Sequence, residues 1–198
     1  MRRILAHPAT ITGRLMLSLA VAAVIATAPA CSRSDASPTA RESSQVERGA
    51  YLVTIGGCND CHTPLKLGPN GPEPDMRRML SGHPEDFHVQ APAELPTGWV
   101  WAGTGTNTAF AGPWGVSFAA NLTPDLETGF GVFSEESFIK AMRTGEHMGT
   151  GRPIMPPMPW PAYSHMTDDD LKAIYAYLQT IPAVRNHVPD AVVAPPAG

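Results

Sequence analysis

Apolar positions recur at helical spacing in three stretches of the chain, separated by long polar runs punctuated by Pro and Gly. In the first stretch Val46, Ala50 and Val53 form one stripe, which Tyr51 and Ile55 widen. Ser44 and Glu47 form a capping box at its start, and Gly56-Gly57 ends it. A second helix is predicted over 134–144, with Ser134 as N-cap, Glu135 and Glu136 at the positive end of the dipole, Phe138, Ile139 and Met142 facing inward, and Gly145 as the stop. A third is predicted over 167–180. Thr167 caps it, Asp168, Asp169 and Asp170 fill its first turn, and Leu171, Ile174, Tyr175 and Leu178 make the inward stripe.

Residues 63–133 carry no periodic element, and their recurrent Pro and Gly predict loops and short turns. So long a stretch without regular structure is unusual inside a domain, and becomes reasonable if the loops wrap a large rigid object that supplies the missing core. The Pro/Ala-rich stretch 189–198 is expected to be a mobile tail.

Arg2, Arg3 and Arg14 precede an apolar run from Leu15 to Ala28, and no acid occurs before Asp35. A basic region followed by a short apolar one is the pattern of an export signal. The run ends Ala28-Pro29-Ala30-Cys31-Ser32. Small residues immediately before a Cys resemble a bacterial lipobox, in which the Cys is lipidated and becomes the first residue of the mature chain. The expectation is a lipoprotein-type signal over 1–30, a lipid on Cys31, a flexible tether over 31–43, and a domain over 44–188. Ordinary cleavage after the same Ala-x-Ala and an uncleaved anchor are the alternatives. Either form of export places the domain in a bacterial cell envelope, on the periplasmic side, and a lipid would hold it to a membrane.

The chain has 198 residues and a formal net charge of −4, with 14 basic and 18 acidic residues. Removal of 1–30 takes three Arg and no acid, which leaves 11 basic against 18 acidic residues. An acidic domain is unsuited to nucleic acid, which needs a Lys/Arg-rich face. Gly and Pro number 18 and 21, above average but short of the level of disordered chains. The 3 cysteines cannot make a disulfide framework, so each needs another explanation.

Two of them stand in Cys58-Asn59-Asp60-Cys61-His62, directly after the Gly pair. C-x-x-C-H is the attachment signature of a c-type haem. Two thiols add across the haem vinyl groups as thioethers, the two intervening residues match the span between the vinyls, and the adjacent His62 is delivered to the iron as proximal ligand. Such attachment takes place outside the cytoplasm, in agreement with the export signal. A structural zinc needs four ligands, and the third cysteine is Cys31. A thioredoxin-like redox pair would sit in a βαβ pattern, which is absent. A plain Cys58–Cys61 disulfide remains open.

The sixth iron ligand is sought among downstream Met and His. Met155-Pro156-Pro157-Met158-Pro159-Trp160 forms a loop between the second and third helices in which proline fixes φ at most positions, so a thioether is held there at low entropic cost. Met158 is the foremost candidate and Met155 the next. Met76, Met79, Met142 and Met166 read as packing, and His83, His88, His147, His165 and His187 as surface or hydrogen-bonding groups. Trp99, Trp101, Trp114 and Trp160 would cover haem edges or core.

From Ser44 to about Pro189 the chain resembles a class I monohaem cytochrome c domain, and is especially similar to the cytochrome c modules of membrane-associated dehydrogenase subunits. The resemblance rests on Arg48-Gly49-Ala50-Tyr51-Leu52, on Ala120-Asn121-Leu122-Thr123-Pro124-Asp125, on Thr128-Gly129-Phe130-Gly131, on Pro157-Met158-Pro159 with Tyr163, and on Thr167-Asp168-Asp169-Asp170-Leu171 leading to Tyr175-Ala176-Tyr177-Leu178. It implies an all-α fold of helices and long loops around one covalently attached haem. It implies His62 and Met158 as axial ligands, first and last helices crossing near Gly49 and Tyr177, and Asn121 and Thr123 near the haem propionates. One motif implies one haem c per chain. The material around 66–101 is left unexplained by the resemblance.

Two strong axial ligands leave no open position on the iron. The expected function is therefore one-electron carriage between redox proteins, a dehydrogenase on one side and an oxidase or other acceptor on the other, without catalysis by the chain itself. A haem enzyme (a peroxidase or small-molecule oxidase) or a haem-based sensor would need an open sixth site. His147 is the alternative group near it.

Overall fold

The computed structural model describes residues 37–194, apart from Ala91 and Ala93. The signal segment, Cys31 and the start of the tether lie outside the described residues.

Helix α1 spans Pro38–Ile55. It begins six residues before the expected cap. Ser37 accepts a hydrogen bond from the Ala40 N–H, and Pro38 occupies the first helical position, where its fixed φ and missing N–H cost nothing. Ser44 lies inside the helix, its hydroxyl donating to the Arg41 carbonyl at 2.8 Å. A capping motif inside a stretch that can already propagate does not start a new helix. The buried face is Gly49, Leu52 and Val53, whereas Tyr51 and Ile55, expected to widen the stripe, are exposed.

Helix α2 is the single turn Cys58–His62, entered through Gly57 at φ 67°. Helix α3 spans Glu135–Thr144 and α5 spans Asp168–Leu178, both with the expected Ser134 and Thr167 caps, and a further turn, α4, spans Trp160–Tyr163. Gly145 closes α3 at φ 70° by donating to the Ala141 carbonyl. Helix α5 ends two residues short of the predicted limit.

Helices α1 and α5 pack against each other at Gly49, where a Cβ would lie 1.9 Å from the Ala173 carbonyl oxygen and 2.7 Å from Tyr177 Cβ. The core on this crossing includes Leu52, Val53, Phe130, Phe138, Leu171, Ile174 and Leu178. Phe130 stacks on Phe133 with ring centroids 4.8 Å apart and meets Phe138 edge-on at 5.2 Å.

The expected all-α fold holds in part. Among the described residues it is mostly helical but carries two small antiparallel sheets, five of whose six strands fall within 63–133. Strands β1 (Leu65–Gly68) and β2 (Gly71–Pro74) form a hairpin. Strands β3 (Ala102–Gly103), β4 (Ala109–Gly112), β5 (Gly115–Phe118) and β6 (Val192–Val193) form the second sheet in that order. Strands of two to four residues are too short to establish a period of two, so Pro and Gly dominate the pattern. The tail expected to be mobile supplies β6, which passes so close to Gly115 that a Cβ there would lie 1.9 Å from the Val192 carbonyl oxygen. Trp99 and Trp101 are exposed beside and before β3, not part of the core. Among the described residues no helix is long and apolar enough to cross a membrane.

Candidate haem-attachment site

A C-x-x-C spacing inside one helical turn places both sulfurs on the same side, since residues three apart are neighbours on a helix. The structure has that geometry: Cys58 and Cys61 are free, half-buried thiols on α2, and His62 ends the turn. Burial pushes the Cys58 thiol up to about 11, and burial raises Cys61 as well, with Asp60 acting in the same direction on both. A redox-active C-x-x-C needs the opposite, an electropositive setting that favours thiolate. Among the described residues no three His, Cys, Asp or Glu side chains converge on a point that could hold a metal ion.

His62 is buried, and burial lowers its pKa, against the raising effect of its bond to Ala120. Nδ1 lies 2.7 Å from the Ala120 carbonyl oxygen. A carbonyl only accepts, so Nδ1 carries the hydrogen and Nε2 carries the lone pair. Nε2 makes no hydrogen bond, yet no buried polar side-chain atom of the described residues lacks a partner, so Nε2 faces accessible space. A neutral imidazole with Nδ1–H committed to a backbone carbonyl and Nε2 free is the arrangement of a metal-ligating histidine. The residues present therefore fit a haem iron ligand.

Thr63 ties the motif to the next segment. Its hydroxyl donates to Asn59 Oδ1 at 2.8 Å and accepts from the Leu80 N–H at 2.8 Å. The Gly82 N–H donates to the His62 carbonyl at 2.8 Å.

Met158 is half-buried and packs on the same core cluster as Cys58, as does Tyr163. Its loop is held from both sides. The Ser117 hydroxyl donates to the Pro156 carbonyl, and the Tyr163 hydroxyl donates to the Gly56 carbonyl, just before Cys58. Trp160 packs over the end of α3, where a Cβ on Gly145 would lie 2.3 Å from its ring. Met155 is half-buried but is not among the residues packed on the core; Met166 and Met79 are. His147 packs edge-on against Phe133, with ring centroids 5.2 Å apart.

Asn121 and Thr123 are buried, and their polar atoms are committed within the protein. Asn121 Oδ1 accepts from the Thr123 N–H and hydroxyl at 3.0 and 2.7 Å, and Asn121 Nδ2 donates to the Val184 carbonyl at 2.8 Å. The Thr123 hydroxyl also accepts from the Val184 N–H at 3.0 Å. They lock the segment that carries the Ala120 carbonyl to the chain beyond α5.

A single helical turn presenting two thiols and an oriented imidazole, on a mostly helical core, defines a cytochrome c domain. The chain is accordingly a distant homologue of the cytochrome c subunits of dehydrogenases. It is 31% identical over 132 residues to the gluconate 2-dehydrogenase cytochrome c subunit of Pantoea cypripedii, a match over 67% of this chain and 22% of that protein. It is 29% identical over 143 residues to the fructose dehydrogenase cytochrome subunit of Gluconobacter japonicus, over 72% and 22%. It is 28% identical over 148 residues to the cytochrome c subunit of a quinone alcohol dehydrogenase of Gluconobacter oxydans, over 73% and 24%. The matched stretch thus spans less than a quarter of these relatives' length. No family model matches the chain.

Proposed function

We propose that this chain is an exported, monohaem c-type cytochrome that passes single electrons between protein partners at the bacterial cell envelope. Haem c, when bound, supplies a one-electron ferric–ferrous couple. Cys58 and Cys61 hold it as thioethers, one haem per chain, and His62 offers Nε2 to the iron. Met158 offers a soft thioether, which favours ferrous iron and raises the potential. The observation that carries the reading is the commitment of His62 Nδ1 to the Ala120 carbonyl, which leaves Nε2 as the ligating atom.

Asn121 and Thr123 enter this reading as braces of the Ala120 segment and as neighbours of the haem propionates. The donor is a dehydrogenase, as in the relatives' names, and the acceptor an oxidase or another redox protein. Cys31 carries the lipid that holds the domain, from the first helix to the residues beyond α5, on the periplasmic side of a membrane.

The test is the purified protein. Haem resistant to acidic acetone, in a one-to-one ratio to chain, together with little carbon monoxide binding by the ferrous form, supports the carrier. Extractable haem or two haems per chain rejects the attachment, and ready carbon monoxide binding transfers the site to an enzyme or sensor.

A further inference from the structure

We propose that Gly82 and Asn186 are positioning residues for His62, holding the Ala120 carbonyl against its Nδ1–H and so setting the donor strength of the imidazole. The inference rests on the haem reading above and extends it to two residues that do not touch the ring.

Residues 80–83 thread between the haem motif and the segment 119–122. The Leu80 N–H donates to Thr63 Oγ1 and its carbonyl accepts from the Leu122 N–H, each at 2.8 Å. The Gly82 N–H donates to the His62 carbonyl at 2.8 Å, and the His83 N–H to the Ala119 carbonyl at 2.9 Å. This bridge is therefore bonded to His62 on one side and to the neighbour of Ala120 on the other. Leu80 holds φ 58° while fully buried, a conformation that persists only where the surroundings over-determine it.

Gly82 lies on the acceptor itself. At φ 78° its missing Cβ would sit 2.4 Å from the Ala119 oxygen and 2.6 Å from both the Ala120 carbon and oxygen. That oxygen is the one His62 Nδ1 uses. The backbone here can approach the Ala120 carbonyl only because residue 82 has no side chain.

Asn186 fixes the approach. It is almost fully buried, and its Nδ2 donates to the carbonyls on either side of Gly82, Ser81 at 2.7 Å and His83 at 2.8 Å. Its Oδ1 accepts from the Glu85 N–H at 2.9 Å and from Arg78 Nη2 at 3.2 Å. A hydrogen bond from Nδ1–H to a carbonyl raises the basicity of a ligating imidazole. A more basic ligand favours ferric iron, so anything that withdraws the Ala120 oxygen shifts the couple toward ferrous.

The experiment compares Gly82→Ala with Gly71→Ala in the full haem-loaded chain. Gly71 has φ 117° and nothing within 4 Å of its missing Cβ, so alanine there strains the backbone without touching a neighbour. The readouts are the midpoint potential and the exchange rate of the His62 Nδ1 hydrogen, followed by NMR in the reduced protein. Gly82→Ala should raise the ferrous-to-ferric ratio at fixed ambient potential by roughly threefold or more, tenfold being about 59 mV for one electron. It should also speed the exchange by about tenfold, as for a loosened hydrogen bond. Gly71→Ala should change neither. If Gly82→Ala does not fold, Asn186→Asp decides on exchange alone, because it keeps the size but removes both Nδ2 donors, and its charge would itself move the potential. Wild-type exchange in whichever variant folds, or an equal shift of potential in Gly71→Ala, overturns the proposal. Absence of covalent haem in the unmutated chain overturns the underlying reading as well, and is seen before any variant is compared.

Discussion

Tyr163 donates its hydroxyl hydrogen to the carbonyl of Gly56, across 107 residues of sequence. One bond thus joins the loop that carries Met158 to the turn that carries Cys58 and His62. Burial raises the phenol pKa, so the hydroxyl is a donor throughout the neutral range. The two halves of the candidate site are in this way held to each other by protein as well as by any shared ligand.

Tyr163→Phe removes the donor and leaves the ring. The expected loss is about 1 kcal/mol of global stability, the net worth of an ordinary intramolecular hydrogen bond. The more telling result is local. In a denaturant titration the near-infrared sulfur-to-iron band should fade at a lower midpoint than helical circular dichroism, whereas the unmutated protein should lose both together.

Gly49→Ala tests the crossing of α1 and α5. Alanine is the better helix former by about 1 kcal/mol. Its Cβ would meet the Ala173 carbonyl at 1.9 Å, which is backbone on the facing helix and cannot rotate away. The helices must separate, and overpacking of this kind costs about 1–3 kcal/mol. A net fall in the unfolding midpoint with an unchanged m-value is expected. An unchanged or higher midpoint would show that the crossing tolerates a methyl group.

The parts of this protein legible in its sequence are those whose chemistry is local. Cys58, Cys61 and His62 stand within five residues, the spacing that haem attachment and ligation would demand, and Ser134, Thr167 and Gly145 mark helix ends because caps act within one turn. The orienting partner of His62 was not legible, since it is the backbone carbonyl of Ala120 and any residue would supply one. Asn186 was not legible either. It sits between Arg185 and His187 in a stretch that reads as surface, and only the fold brings it to Ser81 and His83. The strands were hidden by their brevity, and the start of α1 by a capping box that lies inside the helix.

His83 predicts a pH dependence. It is fully buried, with Nε2 donating to the Phe87 carbonyl at 2.8 Å and Nδ1 accepting from the Thr108 hydroxyl at 2.9 Å. Burial lowers its pKa most; the Phe87 bond and Asp86 oppose this, while Arg78 and His88 add to it. The unfolded chain therefore binds its proton at higher pH than the folded one. The contribution of the neutral ring is full above the ordinary value of 6.5 and is lost as pH falls through that value toward the folded pKa. Unfolding free energy measured from about pH 7 to 5 should decline. The slope should be shallower in His83→Gln, which has no charge to gain. His62 and His147, whose pKa values burial also lowers, keep a residual slope in that variant. Equal slopes in the two proteins would exclude His83 as a source.

Met158 decides between a carrier and an open site. It lies between Pro157 and Pro159, is half-buried against the core, and has its loop anchored through Ser117 and Tyr163. Its thioether is therefore held in place at little entropic cost. If it ligates the iron, oxidised protein shows the weak near-infrared sulfur-to-iron band. Met158→Ala should abolish that band, admit carbon monoxide to the ferrous form and lower the potential, because the preference of the thioether for ferrous iron is gone. Met158→His should keep a low-spin, six-coordinate spectrum at lower potential. Met155→Leu and Met166→Leu should retain the band, at a cost below about 1.5 kcal/mol for swaps of similar volume. A band that survives Met158→Ala but disappears in Met155→Leu would move the ligand by three residues within the same loop. A protein that lacks the band before any substitution and binds carbon monoxide would instead be an enzyme or a sensor, with Met158 serving only to pack the core.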